Sequence, residues 1–481
     1  MKILMVSPEC FPFAKVGGLG DAVGALSKFL AKNGHDVRVC LPRYGSINLP
    51  QNISFYDNIE IHLGGHKRIC RVLRHKHEGV TFYFIEYNQY FGGPEIYLNG
   101  DYNGERFAFF SKACLDICEV FHWIPDVIHC HDWTTGLIPV YLNTVKRNND
   151  ISRTATVFTI HNLEHQGIFP PDILAYAGIP YSEFHPQSLE SLGCVNFMKG
   201  GLFHATKLTT VSPTYAKEIQ TPSMGQGLDH VLRFKSGDLI GILNGIDDNV
   251  WNPATDPFIA AHYSCQNLRG KKICKQALQQ KFDLPEVNIP VIGVVSRLYQ
   301  QKGLDVFMDV LPFIFKNMQI QVVAMGSGDP HWEYRLNELA RCFPKQMKVF
   351  IGYDNALAHQ VEAGSDLFMM PSRFEPCGLN QMYSMRYGTL PIVRATGGLK
   401  DSVTSLNEQT GEGCGFVFEN LCSDAIYNTV GWACATYYDR PDVFVKMQKS
   451  AMQKDFCWKH SAQQYESVYA WAIQQRNGFH P

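Results

Sequence analysis

The chain has 481 residues, enough at ~100 to 200 residues per domain for two to four domains and a core that needs no covalent staples. Lys plus Arg total 43 and Asp plus Glu 45, a formal charge of -2 without a block of one sign, which argues against a nucleic-acid tract; 45% hydrophobic and 18% charged residues exclude a disordered or collagen-like chain. No apolar run approaches the ~18 residues that span a bilayer, and fifteen scattered cysteines contain no CxxC pair, so we expect a soluble, unprocessed protein of the reducing cytoplasm with no membrane partner.

From the N-terminus, short β-branched runs alternate with longer amphipathic stretches, the pattern of βα units that lay a parallel sheet between helices. Strands are predicted at Ile3 to Ser7, Asp36 to Leu41, Thr81 to Glu86, Val127 to Cys130, Thr156 to Ile160, Leu208 to Ser212 and Leu239 to Leu243. Asn244 to Tyr263 then breaks the pattern with Asn-Gly, Asn-Pro and Asp-Pro steps and reads as a linker. The alternation restarts with Val291 to Ser296, Ile320 to Met325, Lys348 to Ile351, Asp366 to Met370 and Leu390 to Val393. Two doubly wound α/β domains are expected, residues 1–243 and 264–455, followed by a helix in the tail 456–481 with Tyr465, Val468, Tyr469 and Trp471 on its apolar side.

Open parallel sheets bind ligands beyond the carboxyl ends of their strands, so the segment after each run carries the information. After the first strand, Lys15-Val16-Gly17-Gly18-Leu19-Gly20-Asp21 opens a helix, and its glycines suit backbone N–H approach to a phosphate. The dinucleotide pattern GxGxxG is not met, because Val23 stands at the third glycine's place. His129, His131, Asp132 and His161 lack a matching ligand set elsewhere, and no Asp-x-Asp motif is present to hold a divalent ion, so no metal or other cofactor is expected. Arg297 and Lys302 share one loop and suit a diphosphate leaving group. Glu375 lies in a turn before a helix and suits sugar hydroxyls, and Thr396-Gly397-Gly398 is a second glycine turn with backbone donors for phosphate. With two such domains, the cleft between them is the default site.

The segments KVGGLGD, HCHDW, TIHN, NGID, SRFEPCGLNQMY and TGGL, in this order, resemble the family of bacterial glycogen synthases and plant starch synthases along essentially the whole chain. The resemblance implies the GT-B fold, two Rossmann-like domains facing a cleft with the C-terminal helix crossing back to the first. It also implies retaining transfer of glucose from ADP-glucose to the non-reducing end of an α-1,4-glucan, so that the partners are a nucleotide sugar and a glucan acceptor. By motif it assigns His161, Asp132, Arg297, Lys302 and Glu375 to catalysis: His161 facing the transferred glucose, Asp132 near glucose and acceptor, and Arg297 with Lys302 on the diphosphate. Glu375, Cys377, Gly378 and Leu379 resemble the family's turn that holds glucose hydroxyls. The resemblance further implies that Lys15, Gly17 and Gly18 form the donor loop, that Tyr353 stacks on the base, that Thr396 and Gly397 meet phosphate and that Asn244 lines the cleft.

Two departures stand out. Broader GT-B relatives often carry a second Glu eight positions after the first, where this chain has Tyr383, and Ala395 replaces the Lys that plant relatives place before Thr396, with Arg394 as a candidate substitute. A UDP-glucose-using glucan synthase or other GT-B glucosyltransferase, and a non-catalytic glucan-binding regulator, are the competing readings. Retention of Lys15, Arg297, Lys302 and Glu375 argues against the regulator, since a binder need not keep leaving-group machinery.

Overall fold

The computed structural model describes residues 1–478. The chain divides into two compact units, one formed by Met1–Gly245 together with the residues from Trp458 onward, the other by Ile246–Cys457.

The first unit is built on a nine-stranded mixed sheet. Its strands, in chain order, are β1 (Lys2–Val6), β2 (Asp36–Pro42), β3 (Ser54–Leu63), β4 (His66–His77), β5 (Val80–Glu86), β6 (Val127–His131) and β7 (Ala155–Ile160). After β8 (Ile168–Phe169), β9 (Glu190–Ser191) and β10 (Cys194–Asn196), which form a small antiparallel sheet of their own, come β11 (Lys207–Thr210) and β12 (Leu239–Gly241). The large sheet runs β12-β11-β7-β6-β1-β2-β5-β4-β3 and is parallel from β12 to β5. Ile3, Leu4, Met5, Val127, Ile128, Val157 and Phe158 are fully buried, as strands covered by helices on both faces must be. Each such side chain contributes about 1.5–3 kcal/mol on leaving water.

β3 and β4 add an antiparallel hairpin at the edge, with one face buried through Ile59, Ile61, Cys70 and Val72. These strands lie outside the predicted set, as does β18 below. The C-terminal helix, Trp458–Gly478, packs on this unit through Tyr465, Val468, Tyr469 and Ala472. Tyr469 Oη lies 2.8 Å from His129 Nδ1, and Ser461 Oγ donates to Leu243 O.

The second unit carries a six-stranded parallel sheet of β13 (Val291–Val295), β14 (Gln321–Gly326), β15 (Met347–Ile351), β16 (Leu367–Met370), β17 (Leu390–Arg394) and β18 (Phe416–Phe418), ordered β15-β14-β13-β16-β17-β18. Most of the segment read as a linker belongs to this unit: Asp256 and Tyr263 are buried, and only Asn244 and Gly245 lie in the first. The physical reason is polar as well as apolar. Asp256 Oδ2 accepts from His359 Nδ1 at 2.7 Å and from Tyr387 Oη at 2.5 Å, while the Trp251 ring stacks between His359 and Tyr383 at 3.9 and 3.8 Å. Turn-rich sequence here is a packed strap rather than a free connector. All fifteen cysteines carry free thiols, and no helix among the described residues is long and apolar enough to cross a membrane.

Candidate active site

In the first unit the informative residues gather at the carboxyl ends of β1, β6 and β7. Gly17 caps the helix Gly18–Lys32, with Lys15 exposed just before it and paired to Asp21 at 2.7 Å. The loop is held by a residue that sequence reasoning missed. Glu9, buried, accepts from the N–H groups of Val16 and Gly17 at 2.7 and 3.0 Å through Oε2, and from Tyr97 Oη at 2.7 Å through Oε1. The expectation that these glycine-loop amides face a phosphate is therefore corrected in part, because Gly17 N–H already serves a carboxylate. In the first turn of the helix, the N–H groups of Gly18, Leu19 and Gly20 have no intrahelical acceptor. A groove of about 440 Å³ runs beside the loop, lined by Lys15, Val16, Pro94 and Tyr97 among others.

Asp132 follows β6 and has a backbone φ of 57° and ψ of -178°, a region essentially restricted to glycine and held at a cost of about 1–3 kcal/mol. The strain is compensated by what its carboxylate does. Oδ1 accepts from the backbone N–H of His161 at 2.7 Å and of Asn162 at 3.4 Å, which fixes the TIHN turn after β7. Burial pushes the Asp132 carboxyl up to about 8, against the lowering effect of those two amides. His161 Nε2 meets His131 Nδ1 at 3.0 Å, and burial pushes His161 down to about 3. His129 is bonded on both nitrogens, to Tyr469 Oη and to Thr159 Oγ1, so the three histidines do not converge on one point as metal ligands would. Asn244 is buried, and its Oδ1 has no hydrogen-bond partner among the described residues.

In the second unit, Arg297 is exposed after β13, its guanidinium 5.8 Å from the Tyr299 ring centre. Lys302, in the same loop, turns to Glu375, its Nζ 2.9 Å from Oε1 and 2.7 Å from Oε2. Ser372 Oγ also donates to Glu375 Oε2 at 2.8 Å. The lone pairs expected to receive sugar hydroxyls are thus shared with a cation and a serine of the same unit. Arg373 forks onto Asp305, and Gln301 Nε2 donates to Phe374 O, which fastens the loop after β13 to the 373–375 turn. Arg394 donates to the carbonyls of Arg373 and Glu419 and so shapes that turn.

Thr396 and Gly397 are buried beside the same turn. Gly398 N–H donates to Glu375 O at 3.0 Å, so this amide is also engaged within the protein and not open to phosphate as expected. At Gly397, φ is +44° and a Cβ would stand 1.9 Å from Glu375 O. Only glycine allows the two turns to approach this closely. Cys377 is buried, Leu379 is half-buried at the start of the helix Asn380–Arg386, and Gln381 Nε2 donates to the carbonyls of Cys377 and Gly378. Tyr353 stands apart from this group after β15 and is 65% exposed, its Oη donating to Asn355 Oδ1 at 3.3 Å.

A doubly wound pair of α/β units, with cations and a carboxylate at the strand ends of the second, defines a GT-B glycosyltransferase. Residues 2–234 match the family described as starch synthase catalytic domain, and residues 276–433 match glycosyl transferases group 1. The chain is 44% identical to glycogen synthase 1 of Geobacter sulfurreducens over 491 aligned positions, covering 99% of this chain and 97% of that one. It is 45% identical to glycogen synthase of Anoxybacillus flavithermus, with 98% and 97% covered. The catalytic domain of starch synthase IV from Arabidopsis thaliana, solved bound to ADP and acarbose, superimposes with a TM-score of 0.91 at 34% identity, covering 98% of this chain and 99% of that one. The chain belongs to the glycogen and starch synthase family.

Proposed function

We propose that the chain elongates an α-1,4-glucan by transferring glucose from ADP-glucose to its non-reducing 4-OH with retention of the anomeric configuration. The observation that carries this reading is the Lys302–Glu375 pair locked to the glycine turn at 396–398, in a chain that aligns end to end with a starch synthase solved with ADP and acarbose. In this reading Arg297 and Lys302 neutralise the diphosphate as the bond to glucose breaks, and stabilising that charge selectively lowers the barrier. Glu375, once Lys302 leans toward phosphate, accepts from glucose hydroxyls. His161 and Asn244 meet the sugar from the first unit, with Asp132 holding the His161 backbone in place. Lys15 and the start of the helix Gly18–Lys32 add positive potential, and Tyr353 stacks on the base. No metal is required, because these side chains supply the countercharge.

The test is incorporation of labelled glucose into glycogen from ADP-glucose and from UDP-glucose, each with and without a chelator. The reading predicts polymer from ADP-glucose, unaffected by the chelator and degraded by α-amylase. Faster transfer from UDP-glucose reassigns the donor, a chelator-sensitive rate overturns the metal-free mechanism, and absence of transfer from either donor overturns the reading.

A further inference from the structure

His131 takes no part in the chemistry described so far, yet it is fully enclosed between two other histidines. Its ring lies 4.1 Å from that of His129 and 5.2 Å from that of His161, centre to centre. Nδ1 meets His161 Nε2 at 3.0 Å, while Nε2 is buried without a hydrogen-bond partner among the described residues. His129 cannot serve that nitrogen, since Tyr469 and Thr159 occupy both of its own.

A neutral imidazole has one N–H and one lone pair, so a bond between two of them has two possible directions. If His161 Nε2–H donated, His131 would carry its proton on Nε2, as a buried donor with nothing to receive it. If His131 Nδ1–H donates, the unpartnered Nε2 is a bare lone pair. Orphaned buried N–H groups are the rarer and costlier deficit. Burial also lowers the basicity of both rings strongly, which keeps the pair neutral and the choice binary. The second direction leaves His161 with its remaining proton on Nδ1, on a residue that is partly exposed while His131 is not.

We propose that His131 is a positioning residue that holds His161 in its Nδ1–H tautomer, so that the His161 ring presents a donor, not a lone pair, to the transferred sugar. The inference rests on the placement of His161 at the sugar given above. It adds a division of labour: Asp132 fixes the His161 backbone, and His131 fixes its proton.

Neutron diffraction from deuterium-exchanged crystals of the full chain reads the tautomer directly and independently of activity. Deuterium on Nδ1 of both His131 and His161, with neither Nε2 labelled, is the expected result; deuterium on His161 Nε2 overturns the proposal. In parallel, His131→Asn places an amide donor near the Nδ1 position and His131→Phe does not. Turnover should fall roughly 10- to 100-fold in His131→Phe, with the donor KM changed less than about threefold, and should recover to within about threefold of wild type in His131→Asn. Equal losses in the two variants, or an undiminished His131→Phe, would count against it. Should His131→Phe fail to fold, the neutron result decides. A wild-type chain that transfers no glucose but shows both Nδ1 positions labelled would sink the proposed function and leave the tautomer assignment standing.

Discussion

Lys302 grips both carboxylate oxygens of Glu375, at 2.9 and 2.7 Å, although the two residues lie 73 positions apart. The carboxylate is only 7% exposed, so removal of the cation strands a buried charge. Lys302→Ala should lose about 3–5 kcal/mol of stability as well as turnover. Arg297, exposed in the same loop, should behave differently, with Arg297→Ala within about 0.5 kcal/mol of wild type in chemical denaturation. The contrast in denaturation midpoints separates a residue that also holds the site together from one that does not.

Gly397→Ala tests how closely the two turns of the second unit must approach. A Cβ 1.9 Å from Glu375 O cannot be accommodated without moving the backbone that carries the carboxylate. Transfer should fall by at least about tenfold while the circular dichroism spectrum stays native. A fully active Gly397→Ala would show that the position of Glu375 does not matter to catalysis.

Asp132 gives a prediction in pH. Its folded carboxyl is raised to about 8, above the ordinary value of 3.8, so between these two pH values the unfolded chain holds fewer protons than the folded one. Stability from this group is therefore greatest below the ordinary value and falls as pH rises toward 8. Asp132→Asn does not titrate, and its stability relative to wild type should improve from pH 5 to pH 8, by at most about 1.4 kcal/mol per unit. Urea denaturation of both proteins across that range checks it; a difference independent of pH would place the Asp132 carboxyl at its ordinary value.

Asp256 tests the strap that the sequence presented as a linker. With His359, Tyr387 and the N–H of Phe258 bonded to its two oxygens, Asp256→Ala should cost about 2–5 kcal/mol, seen as a lowered Tm. Unchanged stability would mean that residues 246–263 contribute nothing to the second unit's core.

Much of this architecture was legible because the buried parallel strands are short uninterrupted apolar runs, and each except β18 was found within a few residues. The β3–β4 hairpin escaped because its strands carry His, Lys and Arg on the exposed face, as HKRICRVLRHKH shows, and their apolar residues alternate instead of running together. Gly64-Gly65, both with positive φ, was the available hairpin signal. Candidate site residues stood out in the sequence where a motif and a strand end coincide, as at Asp132, His161, Lys302 and Glu375. Partners were not, since Glu9 reaches Val16 and Tyr97, and Gly398 reaches Glu375, by folding and not by local spacing. The glycines consequently looked more available to phosphate than they are.

The central claim is that exposed Arg297 stabilises the negative charge that gathers on the nucleoside diphosphate as its bond to glucose breaks. The most direct measurement is the initial rate of glucose transfer from ADP-glucose to a maltooligosaccharide by wild type and by Arg297→Ala. The account predicts a chain-lengthening wild type and a variant slowed roughly 100-fold or more with unaltered stability. A wild type that leaves the oligosaccharide at its starting length, or a variant that matches it, would contradict the account.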